Sequence, residues 1–165
     1  MSQSVAQPWT EQDHSYMEEA LRLARRGLGT ASPNPMVGAV VVKDGRIVGS
    51  GFHARPGAPH AEVVALEAAG DEAAGATMYV TLEPCSHYGR TPPCADLIIR
   101  KGLGRVVAAM EDPNPLVAGR GMERLRDPGI ETAVGRLGDE AAELNEACIT
   151  YITKGRPFIH LKHAI

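Results

Sequence analysis

The chain has 165 residues, which is enough for one domain with a buried core. Its formal net charge is -3, and 44% hydrophobic against 22% charged residues is ordinary globular usage. The sequence has no basic stripe of the kind that neutralises phosphates, and no apolar run approaches the roughly 20 residues that span a bilayer. We therefore expect a small-molecule substrate, with neither nucleic acid nor a membrane as partner.

The first half of the chain predicts a helix followed by a hairpin. Residues 10–27 carry apolar side chains at helical spacing, with Thr10 as the N-cap. A β-branched run over 37–42 predicts a buried strand. Asp44-Gly45 is a hairpin signal, so residues 47–52 should pair back antiparallel.

The rest of the chain predicts strands that alternate with helices. Strands are expected over 78–82, 105–110 and 130–134, and helices from 60, over 94–101, 119–126 and about 139–153. This alternation implies right-handed crossovers and a parallel portion of sheet. We therefore predict an α/β fold: three α/β/α layers with a mixed sheet of about five strands. In the last helix, Cys148 is expected to be a small core residue.

Three cysteines and the absence of a signal-peptide pattern before Gln7 favour a cytoplasmic protein with reduced thiols. In that setting, cysteines within a loop are more often metal ligands than disulfide partners. One imidazole and two thiols, from His60, Cys85 and Cys94, suit zinc in a tetrahedron. Three protein ligands leave the fourth position for water, as in a catalytic site.

Glu62 is the expected proton carrier in this arrangement. His60 and Glu62 are two residues apart and can converge only where a helix starts, which Pro59 supports. Cys94 follows Pro92-Pro93 and should also open a helix, whose free N–H groups stabilise thiolates. This combination of His-x-Glu with Pro-Cys is the pattern of zinc deaminases.

The chain closely resembles the deaminase domain of the bifunctional riboflavin-biosynthesis deaminase–reductase family. The matching stretches lie between about residues 15 and 155, at 33–38, 51–53, 59–63, 79–87, 89–94, 112–115 and 119–121. Eight residues separate Cys85 from Cys94. The nucleoside and tRNA deaminases of this fold typically have a Pro-Cys-x-x-Cys motif, in which only two residues separate the cysteines. The resemblance implies a cytidine-deaminase-like fold and the substrate 2,5-diamino-6-ribosylamino-4(3H)-pyrimidinone 5′-phosphate.

By the same resemblance, Asn34, His53, His87 and Arg90 would contact substrate, with Arg90 as the candidate for the phosphate. Alternatives stay open for each residue. Asn34 could only shape its turn, His53 could be a buried strand-end histidine, His87 could be a further ligand, and Arg90 could be a solvated loop residue. Asp112 and Asn114 are expected to form a turn.

The resemblance also implies domain limits and assembly. We expect a zinc deaminase domain over 1–155 and, over 156–165, the start of a reductase domain or a tail. No dinucleotide-binding fingerprint is present, so deamination without reduction is expected. Deaminases of this fold commonly assemble, so a homo-oligomer is expected. The competing hypotheses are a nucleoside or tRNA deaminase of the same fold and a non-catalytic zinc-stabilised module.

Overall fold

The computed structural model describes residues 9–89 and 91–163. Its helices are α1 Glu11–Ala24, α2 Ala61–Ala69, α3 Cys94–Lys101, α4 Arg120–Arg126, α5 Gly138–Leu144 and α6 Glu146–Lys154. Its strands are β1 Gly38–Lys43, β2 Arg46–Phe52, β3 Thr77–Val80, β4 Arg105–Ala108 and β5 Glu131–Val134. Within those described residues, no helix combines the length and the apolar character that crossing a bilayer would need.

The five strands form one mixed sheet in the order β2-β1-β3-β4-β5. The β1 strand is antiparallel to both of its neighbours, whereas β3, β4 and β5 run parallel. The hairpin between β1 and β2 turns at Asp44 and Gly45, which both have positive φ, as a two-residue turn of the expected type requires. The predicted mixed sheet with a parallel portion is confirmed.

Helices cover both faces of this sheet. On one face, α2, α3 and α4 bury side chains such as Leu66, Ile98 and Leu125 against alternate strand residues. On the other face, α1 and α5 pack Met17 and Ala141 against the intervening strand residues. The β-strand period of two explains this division, because neighbouring side chains point to opposite faces. The three-layer α/β/α prediction is therefore confirmed.

The contact between α2 and the edge strand β2 depends on a glycine. A Cβ atom at Gly49 would lie 2.1 Å from the carbonyl oxygen of Ala65, so only a residue without a side chain fits there. The close approach lets α2 lie directly on the hairpin. The candidate site lies at the N-terminal end of this helix.

The single helix predicted over 139–153 is wrong. The chain instead breaks at Asn145, which separates α5 from α6. The buried Asn145 side chain accepts a hydrogen bond from the Met36 N–H at 2.7 Å and donates one to the Met36 carbonyl at 2.9 Å. This pairing with a distant segment outweighs the helical spacing of the local sequence. Since α6 buries no residue, Cys148 is half-buried rather than part of the core, and that expectation is wrong too.

Beyond α6, residues 157–163 have no regular secondary structure. Their apolar side chains are exposed, with Leu161 at 90%. The proposed domain limit at residue 155 coincides with the end of α6 at Lys154. We keep that limit as a proposal.

Candidate active site

The chemistry-bearing residues lie at one edge of the sheet. Because β3 and β4 are parallel, their carboxyl ends share an edge, and the antiparallel β1 begins there while β2 ends there. Loops at the carboxyl ends of parallel strands are the usual place for ligand sites in α/β proteins. The segments before β1, after β2 and after β3 therefore meet, and they carry Asn34, His53 and Cys85.

The structure brings the three predicted metal ligands together. Nδ1 of His60 lies 3.3 Å from Sγ of Cys94 and 3.8 Å from Sγ of Cys85. All three ligand atoms lie within 4.8 Å of one another. His60 is the N-cap of α2, and Cys94 is the first residue of α3, as the sequence predicted. Two helix starts thus face the loop that follows β3.

The two sulfurs are held in a setting that favours one thiolate. The pKa of Cys85 is lowered, and its hydrogen bond with the Cys94 thiol is the largest cause. Burial raises this pKa, but hydrogen bonds with His60 and with the Cys94 backbone N–H lower it further. That N–H lies 3.2 Å from Sγ of Cys85. The same thiol contact, with burial, raises the pKa of Cys94. The pair therefore shares a proton, and a cation in the cluster would displace it.

Glu62 is buried in the first turn of α2, directly beside the cluster. Burial raises its pKa to about 7, although the neighbouring His60 acts in the opposite direction. A carboxyl group that titrates near neutrality can accept and return a proton within one turnover. Glu62 lines a cavity of about 220 Å³ together with His60 and Cys85.

Asn34 and His53 form a pair that also lines this cavity. The amide nitrogen of Asn34 lies 3.0 Å from Nε2 of His53, whose Nδ1 lies 3.1 Å from the carbonyl oxygen of Pro59. His53 is buried, and its ring stands edge-on to that of His60, with centroids 5.8 Å apart. Asn34 and His53, two of the four predicted substrate-contact residues, therefore share this cavity with His60 and Cys85.

A second cavity of about 740 Å³ opens from the same cluster and extends between α2 and α3. His87 is exposed and lines both cavities. Gly89 and Thr91 also line the larger cavity, as does Arg100 on α3. Arg90, the candidate for the phosphate, lies outside the described residues.

One feature of this edge, the role of Glu83, was not predicted from the sequence. Glu83, which follows β3, is buried and accepts hydrogen bonds from backbone N–H groups of the segment that follows β4. Its position before Pro84-Cys85 was visible, but nothing in the local pattern indicated a partner so distant along the chain. The turn expected at Asp112 and Asn114 is present, and Asp112 also lines the smaller cavity.

The donor set fits zinc better than a hard cation. One imidazole nitrogen and two sulfurs are the borderline and soft ligands that zinc accepts, whereas magnesium and calcium prefer oxygen. Three such atoms at this spacing are compatible with a tetrahedral site that keeps one position open. Among the residues that the structure describes, the cluster offers three ligand atoms, which is the number typical of catalytic zinc sites.

Comparison with known proteins agrees with this arrangement. Residues 10–110 match the family described as the cytidine and deoxycytidylate deaminase zinc-binding region. Riboflavin biosynthesis protein RibD of Aquifex aeolicus is 60% identical over 154 residues, which are 93% of this chain and 43% of that protein.

Two solved structures extend the comparison. The diaminohydroxyphosphoribosylaminopyrimidine deaminase/5-amino-6-(5-phosphoribosylamino)uracil reductase of Thermotoga maritima superposes with a TM-score of 0.85 at 52% identity, covering 90% of this chain and 43% of that one. The Rib2 deaminase of Aspergillus oryzae in complex with DARIPP gives a TM-score of 0.68 at 26% identity, covering 87% and 94%. The chain thus spans less than half the length of the Aquifex and Thermotoga proteins. It belongs to the cytidine and deoxycytidylate deaminase family, as a homologue of the RibD riboflavin-biosynthesis proteins.

Proposed function

We propose that this chain deaminates 2,5-diamino-6-ribosylamino-4(3H)-pyrimidinone 5′-phosphate to 5-amino-6-(5-phosphoribosylamino)uracil and ammonia, with zinc held by His60, Cys85 and Cys94. The observation that carries the proposal is the convergence of these three ligand atoms within 4.8 Å beside the buried Glu62. The cluster borders a cavity that is also lined by the polar side chains of Asn34 and His53, as a small polar ring requires.

Zinc, when bound, supplies the Lewis acidity that makes hydroxide available from water near neutral pH. Glu62 accepts the proton of the attacking water and passes it to a ring nitrogen beside the reacting carbon, where a C–O bond forms. A second proton then moves through Glu62 to the 2-amino group. The C–N bond breaks, ammonia leaves, and the oxygen becomes the product carbonyl. The buried carboxyl, with its pKa near neutrality, is suited to both transfers.

The choice of substrate rests on the loop between the cysteines and on the relatives. Eight residues separate Cys85 from Cys94, and the loop side chains line the larger cavity. The Thermotoga protein is named for this deamination, and the Aspergillus deaminase binds DARIPP. We propose Asn34, His53 and His87 as substrate-contact residues and Arg90 as the phosphate ligand.

Metal analysis combined with an ammonia-release assay tests the proposal. The purified chain should contain about one zinc per protomer and release ammonia from the pyrimidinone phosphate. Cytidine, guanine and a tRNA anticodon loop serve as the competing substrates. Turnover of only those three compounds would favour a nucleoside or tRNA deaminase. Bound zinc with no turnover of any of the four would favour a zinc-stabilised module.

Two further parts of the proposal concern the protein as a whole. We propose a homo-oligomer in solution, which light scattering would measure directly.

We also propose a reducing, cytoplasmic setting, because all three cysteines are free thiols and two of them are needed as metal ligands. An interchain disulfide at Cys85 or Cys94 in the protein isolated from cells would contradict this.

A further inference from the structure

The buried carboxylate of Glu83 connects two loops of the site. Each of its two oxygens accepts two hydrogen bonds from backbone N–H groups of the chain that follows β4. The donors are the N–H groups of Asp112 at 2.9 Å, Gly119 at 2.9 Å, Gly121 at 2.7 Å and Met122 at 3.2 Å. The side chain is only 5% exposed. A charged acceptor with four N–H donors stabilises a single arrangement of that backbone.

The segment held in this way forms a wall of the cavity. Between β4 and α4 the chain makes a turn in which Oδ1 of Asp112 accepts from the Asn114 N–H at 2.8 Å. Asp112 lines the cavity of about 220 Å³, as do Asn34 and Glu62. On the other side, Glu83 is separated from the metal-ligand candidate Cys85 by Pro84 alone. The Glu83 carboxylate therefore connects the loop that carries Cys85 to the segment that carries Asp112.

We infer that Glu83 is a positioning residue. It sets the distance between Cys85 in the loop after β3 and Asp112 in the segment after β4, and thereby the affinity for substrate. The inference rests on the proposed function, because it concerns the cavity in which the pyrimidine would bind. Gly121 provides a second observation: a Cβ there would lie 1.9 Å from the Pro84 carbonyl oxygen. The two loops are thus in direct contact, and Glu83 spans that contact.

The substitution Glu83→Gln tests this inference with little change in shape. A glutamine offers one acceptor oxygen, and its NH₂ group would face N–H donors, so at most one pair of the four hydrogen bonds survives. We expect KM to rise about tenfold or more, with kcat within about threefold and zinc content unchanged. Amide hydrogen exchange at Gly119 and Gly121 should become faster in the same variant.

Matched variants separate positioning from general loss of stability. Asp13→Asn alters another buried, hydrogen-bonded carboxylate on the opposite face of the sheet, and it should lower stability without raising KM. Gly121→Ala leaves Glu83 intact but forces the same loops apart, so it should reproduce the rise in KM. Glu83→Asp keeps the charge and should recover part of the affinity. Gly121→Ala and Glu83→Asp also keep the test open if Glu83→Gln does not fold.

Two outcomes would overturn the inference. One is a KM within about twofold of the parent value in Glu83→Gln despite faster exchange of the loop amides. The other is a joint loss of zinc and kcat, which would make Glu83 a support of the metal cluster instead. Failure of the proposed function looks different: the parent protein would not turn over the pyrimidinone phosphate, while the exchange measurement would still report on the loop.

Discussion

The amide nitrogen of Asn34 lies 3.0 Å from Nε2 of His53, and this contact fixes the orientation of both side chains. Nδ1 of His53 faces the Pro59 carbonyl at 3.1 Å, and a carbonyl oxygen can only accept. His53 must therefore carry its proton on Nδ1, which leaves Nε2 to accept from Asn34. The amide oxygen of Asn34 is then the group available to a ligand N–H in the cavity.

Replacing Asn34 should weaken substrate binding without affecting the metal. We expect Asn34→Ala to raise KM about tenfold, because it removes the amide oxygen from the cavity and leaves Nε2 of His53 without its donor. Asn34→Asp tests the same contact, because a carboxylate has no N–H group to donate to Nε2 of His53. Steady-state kinetics with metal analysis checks this. Ser32→Ala, in the exposed part of the same turn, is the control, and loss of zinc in Asn34→Ala would contradict the assignment.

Two substitutions should distinguish the residue that transfers protons from a residue that binds the metal. Glu62→Gln should retain zinc while kcat falls by roughly 10²–10⁴-fold, the usual contribution of a positioned acid–base group. Cys85→Ser should lose zinc, because a hydroxyl replaces a thiolate ligand. Cys148→Ser is the matched control, since that half-buried thiol lies outside the cluster and its loss should leave both zinc and turnover intact. Unchanged turnover in Glu62→Gln would contradict the proposed mechanism.

The sequence predicted those parts of the site that depend on local signals. Prolines mark the helix starts at His60 and Cys94, and Asp44-Gly45 marks the hairpin, so each could be placed without knowledge of the rest of the chain. The convergence of the ligand segments then follows from the α/β topology.

What the sequence did not reveal depends on contacts between distant segments. Asn145 breaks the last helix because it pairs with the backbone of Met36, and Glu83 finds its donors more than 25 residues further along the chain. Asn and Glu are both common in helices and loops, so neither residue type signals such a partner. The misplacement of Cys148 has the same origin, since its helical face was inferred from a helix that does not continue through Asn145.

Arg90 and Arg100 are two candidate ligands for the phosphate of the proposed substrate, and kinetics can distinguish them. Arg90 lies in sequence between Gly89 and Thr91, which line the larger cavity, and Arg100 lines the same cavity from α3. We expect Arg90→Ala to raise KM about tenfold for the phosphorylated substrate and little for its dephosphorylated analogue, because a guanidinium binds phosphate in a bidentate manner. Arg100→Ala is the matched comparison. A phosphate-dependent effect in Arg100→Ala alone would move the phosphate site to α3.

A buried carboxylate away from the site should control stability at low pH. Asp13 accepts hydrogen bonds from Tyr79, from Arg105 at 2.7 Å and from the Thr10 N–H at 2.6 Å. Burial opposes the ionisation of Asp13, but these donors outweigh it and lower its pKa from 3.8 to about 2. A lowered pKa in the folded state means that the stabilisation is complete above about pH 4 and is lost as the pH falls through about 2.

The shift corresponds to about 2 kcal/mol of unfolding free energy at neutral pH, since one pKa unit is worth about 1.4 kcal/mol. We therefore expect Asp13→Asn to be less stable than the parent protein by at least that amount near pH 7, because the asparagine cannot satisfy the charge of Arg105. The difference should shrink as the pH falls from about 4 towards 2, where the parent protein also loses the carboxylate. Urea denaturation of both proteins across this range measures the difference directly. A stability gap that stayed constant with pH would show that Asp13 acts through packing rather than through its charge.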